Sequence, residues 1–363
     1  MKKMFFIAAI AGAALVSCTK NEVVEVAEQD VITFAAPVTT PSTKAVEVVG
    51  NYPTNLHFSV FGHYFTENYT TLEDGQLYMN DVETAYTDDV VGWDPAAVTG
   101  GENYYWPKQG TITFAAYSPS GCTPVAYTTE GIQFTNFTVE AKAENQYDLL
   151  FSERTYNQTK STMTTANDPY KGVQIRFNHA LSSICFTVAT DYDYTQDDFR
   201  IAVTKIELQN VASNGKFNQG LEDDNLSSTA ANTEHPGWTV NTDSKTKYVA
   251  FEGEQELTTT ATITDNVEGL REKNNVNNTN LILLPQELTD VVLYVEYTIY
   301  NDNTGAVVKQ NATLPITNYG VVFQWYRGNR YTYYIKIGLD KIYFDPTVTE
   351  WYDVYSGSIT IGK

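Results

Sequence analysis

Hydrophobic and polar residues alternate along most of this chain with a period of two. From Val31 to Val38, Ile32, Phe34, Ala36 and Val38 share one face, and Val31, Thr33 and Ala35 share the other, which is a strand pattern. Leu56 to Phe65 places Phe58, Val60 and Tyr64 together. Thr111 to Tyr117 is apolar on both faces, as a central strand would be. Ile132 to Val139 and Tyr147 to Phe151 follow. A new set opens at Val173, where Val173, Ile175 and Phe177 alternate with Gln174, Arg176 and Asn178. Ser183 to Thr190, Ile201 to Val211, Leu281 to Leu284, Val291 to Tyr300, Val307 to Leu314 and Tyr331 to Ile337 continue it.

The segments between these runs are polar and rich in turn residues. Thr39 to Lys44, with Pro41, predicts an exposed loop. Asn214-Gly215 predicts a tight hairpin turn, and Asn301 to Gly305 a second turn. No stretch carries apolar residues at helical spacing for long enough to make an amphipathic helix. The pattern predicts an all-β chain of two tandem β-sandwiches, 31–171 and 172–363, divided within the polar segment Glu153 to Lys171.

Composition narrows the function. Lys and Arg number 23 against 44 Asp and Glu, a formal charge of −21, and no basic stripe exists, so nucleic acid is excluded as an expected partner. The acidic residues are dispersed, as on a solvated surface. Cys122 and Cys185 fall in different predicted domains, so thiols rather than a disulfide are expected. His57, His63, His179 and His235 show no metal-ligand spacing. Asp191, Asp193, Asp197 and Asp198 cluster without the glycine of an EF-hand loop. Ser213-Asn214-Gly215-Lys216 has Ser-x-x-Lys spacing on a predicted turn, where that chemistry needs a helix start. No enzyme, cofactor or metal is therefore expected. Paired carboxylates that meet only in space stay open, because sequence does not give their separation.

Residues 1–17 form a signal. Lys2 and Lys3 precede an apolar run from Met4 to Val16, short of the ~20 residues a membrane span needs. Leu15-Val16-Ser17-Cys18 resembles a bacterial lipobox. That resemblance implies a diacylglycerol on the Cys18 thiol, cleavage before Cys18, and a polar tether over 18–30. More than one acyl chain is needed to hold a protein stably on a bilayer. The acidic stretch after Cys18 is similar to surface-export signals of Bacteroidetes-type lipoproteins. This implies the cell outer membrane, surface-exposed.

Several further pieces, in order, resemble the fimbrillin family, the lipoprotein pilins of Bacteroidales type V pili. Thr43-Lys44-Ala45 is similar to the family's Thr-[Arg/Lys]-Ala processing site. Tyr105-Trp106-Pro107 and Phe114-Ala115-Ala116-Tyr117-Ser118-Pro119 resemble its Tyr-x-Pro and Phe-x-Ala-Tyr-x-Pro stretches. Phe177 to Ser182, Leu284-Pro285-Gln286 and Thr347 to Trp351 complete the likeness. Lys44 stands where arginine is commoner. The resemblance implies transthyretin-like sandwiches and a subunit of a homo- or hetero-polymer. It implies an N-terminal groove strand (Ile32, Phe34, Ala36, Val38) and cleavage between Lys44 and Ala45 by a trypsin-like protease, with Arg154 and Lys160 as rival sites. A tail over 353–363, led in by Trp351 and carrying Tyr355, Ile359 and Ile361, is then the donor strand; the alternative is an ordinary last strand. The competing function is a surface glycan-binding lipoprotein, resting on Trp93, Trp238 and Trp325 as exposed aromatic platforms.

Overall fold

The computed structural model describes residues 26–35, 37–38, 50–122, 125–163, 172–190, 199–220, 237–259, 280–317, 322–338 and 342–350. Their regular structure is mostly strand, with short 3-10 turns as the only helical pieces among them. The alternating sequence thus folds as an all-β chain of sandwich-type sheets.

Thr111–Ser118 is the pivot of the first part. It pairs antiparallel with Phe58–Phe65, which in turn pairs with Gln76–Asp88. On its other edge lie Leu150–Ser152 and Thr155–Gln158. Every residue of the strand is buried, because it is a wall between two cores. Ile112, Phe114 and Ala116 face an N-terminal core with Phe58, Val60, Met79 and Trp106. Ala115 and Tyr117 face a second, larger core with Ile132, Phe134 and Phe151. The apolar residues on both faces of this run are thereby explained, and Thr111, Thr113 and Ser118 are buried with them.

That larger core extends through an antiparallel sheet of Val125–Thr128, Gly131–Thr138, Asn214–Asn218 and Trp238–Val240. It continues between two further four-stranded sheets. One orders Leu281–Leu283, Ser182–Thr190, Asn329–Ile337 and Ile342–Glu350. The other orders Lys245–Glu256, Phe199–Ala212, Val292–Asn301 and Ala306–Pro315. Ser182–Thr190 and Asn329–Ile337 run parallel, although about 140 residues separate them in sequence. Leu293, Val295 and Tyr297 point into the core while Tyr294 and Glu296 stay half-exposed.

Asn301 to Gly305 closes a hairpin as expected, with Asn301 opposite Ala306 and Gly305 at φ 69°. Asn214-Gly215 does not. Instead of folding back on Phe199–Ala212, the chain crosses to another sheet, where Asn214 opposes Thr138 and Gly215 opposes both Phe137 and Val240. The Asn214 amide donates to Asn136 Oδ1, the Phe137 carbonyl and Thr138 Oγ1. Gly215 is small because a Cβ there would lie 3.1 Å from the Trp238 ring. Sheet pairing runs past the expected division at 171/172 without a break: Val173–Gln174 and Phe177–His179 still pair with strands of the first part.

Candidate functional site

The segment from Val26 to Val38 threads the first part of the molecule. Val26–Val31 pairs antiparallel with Tyr105–Pro107, and the Ile32 N–H donates to the Tyr104 carbonyl at 2.7 Å. Phe34 then opposes Trp93 of Gly92–Asp94 on one side. On the other side Phe34 and Ala35 run parallel to Val173 and Gln174. The Val173 and Ile175 N–H groups donate to the carbonyls of Thr33 and Ala35, each at 2.8 Å. Beyond this, Pro37–Val38 pairs parallel to Phe177 and antiparallel to Gly50–Asn51.

Side chains fill the groove as completely as the backbone does. Ile32 and Phe34 are fully buried and Ala35 nearly so. The Phe34 ring meets Phe114 edge-on at 5.4 Å and Phe58 edge-on at 6.2 Å, the geometry aromatic quadrupoles favour. Alternation of β-branched and aromatic residues makes this segment extended, and Pro37 has no N–H to place in a continuing ladder. Of the predicted groove residues, Ile32 and Phe34 sit in the core and Val38 pairs by its backbone; Ala36 lies outside the described residues. The walls formed by Trp93, Gly172, Val173 and Ile175 were not foreseen. The alternation of Val173 and Ile175 was visible, but parallel pairing with a strand so distant in sequence leaves no local signal.

Lys44 and Ala45 lie outside the described residues, as do Cys18, Trp351, Tyr355, Ile359 and Ile361. The two rival cleavage positions are described, and they differ. Arg154 is buried, with Nε on the Tyr127 hydroxyl (2.9 Å), Nη1 on the Tyr69 hydroxyl (2.8 Å) and Nη2 on the carbonyls of Thr128 and Thr129 (2.7 Å each). It is no exposed loop residue; its guanidinium is the polar centre of a tyrosine cage. Burial pushes the Tyr127 hydroxyl up to about 12. Burial first, and the Arg154 charge second, hold His63 down at about 4. Lys160 is exposed and forms an ion pair with Asp30 at the entry to the groove.

The expected aromatic platforms are core residues. Trp93 and Trp325 have no exposed surface, and Trp238 retains 8%. Trp238 donates its indole N–H to the Ala180 carbonyl at 2.6 Å, and Trp325 donates to the Tyr333 hydroxyl at 2.8 Å. Large aromatics in sandwiches are drawn inward by the area they bury. Cys122 and Cys185 are thiols, not a disulfide. His57 contacts Glu83 at 2.7 Å and His179 contacts Asp148 at 2.6 Å. Among the described residues no group of three or more His, Cys, Asp or Glu is placed to hold a metal, and no helix is long and apolar enough to cross a membrane.

The chain is thus an all-β protein of sandwich-type sheets in which Phe34 and Ala35 lie between Gly92–Asp94 and Val173–Gln174. The chain belongs to the fimbrillin-like family, whose profile matches residues 43–351. Among solved structures, a fimbrial protein from Bacteroides vulgatus aligns at TM-score 0.54 and 17% identity over 88% of this chain and 99% of that one. A proposed cell adhesion protein from Bacteroides uniformis aligns at TM-score 0.48 and 15% identity over 87% and 98%. One from Bacteroides ovatus aligns at 0.47 and 12% over 90% and 99%. No curated protein matches the chain.

Proposed function

We propose that this chain is a structural pilin: a fimbrial subunit exported as a lipoprotein on Cys18, opened by cleavage at Lys44, and polymerised by strand exchange to support adhesion. The observation that carries the reading is the threading of Ile32 to Ala35 between Gly92–Asp94 and Val173–Gln174. A cut at Lys44 leaves that strand held only by non-covalent contacts. Its departure uncovers the Val173 and Ile175 N–H groups and the cleft around Phe58 and Phe114. Unpaired sheet edges capture any strand that fits. In this reading the outer membrane holds the precursor through lipid, a trypsin-like protease acts on the loop, and the tail over 353–363 is donated to a neighbouring subunit. Membership of the fimbrillin-like family and the fold shared with a Bacteroides fimbrial protein support it.

The test is mild trypsin treatment of the purified chain followed by electrophoresis in SDS without heating. Ladders of SDS-resistant oligomers with a new N-terminus at Ala45 are expected. A chain that is cut there, stays monomeric and is retarded on a polysaccharide affinity gel would be a glycan-binding lipoprotein instead.

A further inference from the structure

The two outer strands of the sheet that carries Val292–Asn301 are unlike each other. At one end, Lys245–Glu256 carries Lys245, Lys247, Glu252, Glu254 and Glu256, and its pairing with Phe199–Ala212 breaks register at three places. Charges and bulges of this kind keep an edge from pairing with another chain. At the other end, Ala306–Pro315 has neither device. It is ten residues long, has Lys309 as its only ionisable side chain, and pairs with Val292–Asn301 in unbroken register from Ala306 opposite Asn301 to Pro315 opposite Val292. No strand lies beyond it among the described residues. Its side chains are open on both faces: Val307 is 54% exposed and Val308 47%, while Ala312 and Leu314 are only half-buried.

A second copy of this chain fits that edge. Two copies each carry a formal charge of −21 and repel through most of their surfaces, whereas this strand holds no Asp or Glu. Ala306–Pro315 also complements itself under a two-fold axis. Antiparallel pairing about Lys309 would set like charges opposite each other. Pairing about Asn311 sets Val308 opposite Leu314 of the partner subunit, twice by symmetry, with Lys309 opposite a threonine and the two Asn311 amides side by side. We propose that two copies associate through Ala306–Pro315, antiparallel about Asn311, joining their four-stranded sheets into one. A ten-residue edge is small against the ~1,200 Å² of a stable interface, so the isolated pair is weak and concentration-dependent. Repeated along a polymer, the same contact gains avidity and holds fibres side by side. Only this last step rests on the strand-exchange reading; the pairing itself does not.

The test uses the full, uncut chain, which keeps strand exchange out of the measurement. Sedimentation velocity over a concentration series is expected to show dimers whose share rises with concentration. Val308→Lys is expected to weaken that association at least about tenfold, because it sets a charge opposite Leu314 at two symmetric places. Val90→Lys, at a valine 61% exposed in the first part, adds the same charge and is expected to leave dimerisation at least as strong, since it lessens the net repulsion. Both variants should melt as the wild type does, because neither valine is buried. In a Cys18→Ser, Cys122→Ser background, Asn311→Cys is expected to give a disulfide-linked dimer on mild oxidation, its two copies meeting on the axis within disulfide reach. Val307→Cys is expected to give none, since its two copies lie roughly 27 Å apart along the ladder. A wild-type chain that stays monomeric throughout, or Val308→Lys dimers as strong as those of the wild type, overturns the edge pairing. Equal crosslinking of Asn311→Cys and Val307→Cys overturns the two-fold register.

Discussion

Gly172 lies against the backbone of Phe34: a Cβ on Gly172 would come within 2.7 Å of the Phe34 carbonyl carbon and 2.8 Å of its Cα and N. Backbone atoms held in ladders on both sides cannot swing away as a side-chain tip would. Gly172→Ala is therefore expected to loosen the N-terminal strand, at a cost of about 1–3 kcal/mol typical of overpacking. The uncut variant should melt at a lower temperature. After cleavage at Lys44, its N-terminal fragment should separate on gel filtration faster than the wild-type fragment does. Equal release rates would mean that Gly172 does not set the fit of the groove.

Arg154 is where proteolysis discriminates most sharply. Four hydrogen bonds and burial fix its side chain, so native protein should resist trypsin at this bond while cleaving elsewhere. Mass spectrometry of limited digests should find no fragment beginning at Thr155 until the fold is lost. Arg154→Met retains much of the stem but abandons the Thr128 and Thr129 carbonyls. It should destabilise the chain by about 3 kcal/mol, the worth of one or two hydrogen bonds to a charged group. A variant as stable as the wild type would show that the cage contributes nothing.

Much of this architecture was legible from alternation alone, because the period of two is imposed by which face a residue presents. Thr111 to Tyr117 announced a strand covered on both faces, and Ile32 and Phe34 announced the inward face of the first strand. What failed was long-range or context-dependent. Asn214-Gly215 carries the strongest local hairpin signal, yet the ladder with Gly131–Thr138 and the Trp238 ring beside Gly215 override it. Arg154 sits in a polar stretch and reads as exposed, because the hydrogen bonds it donates to Tyr69 and Tyr127, distant in sequence, are invisible locally. Trp93, Trp238 and Trp325, expected as surface platforms, are core residues, because a large aromatic side chain gains most from the area it buries. The groove itself arises from a parallel pairing that no spacing rule encodes.

His63 gives a pH dependence whose sign is fixed. Its ordinary value of 6.5 falls to about 4 in the folded chain, through burial first and the Arg154 charge second. Between those values the unfolded chain holds a proton that the folded chain does not, so stability rises with pH across this window. The contribution is fully present above about pH 6.5 and is lost as pH falls towards 4. His63→Phe, which keeps a ring beside Tyr127 without a titrating nitrogen, should flatten that part of the profile. Thermal midpoints at pH 4.5 and 7.5 should therefore differ less in the variant than in the wild type. An unchanged difference would assign the acid sensitivity to other groups.

The strand Thr111–Ser118 also decides how the molecule unfolds. Ala116 packs into the N-terminal core while its neighbour Ala115 packs into the larger one, and both are completely buried. A strand that walls two cores cannot leave one without exposing the other. Gln219 adds to this coupling, accepting from the Ile132 N–H at 2.9 Å and donating to the Ser152 carbonyl at 2.9 Å. Calorimetry is expected to give one cooperative transition, not the two of independent tandem domains. Ala115→Val and Ala116→Val each force a methyl pair into filled space, so each should lower that same transition, by about 1–3 kcal/mol. Two resolved transitions, with Ala115→Val moving one and Ala116→Val moving the other, would show that the cores melt separately. In that case each face of the wall strand would serve its own core independently, and release of the N-terminal strand could proceed without any cost to the larger core.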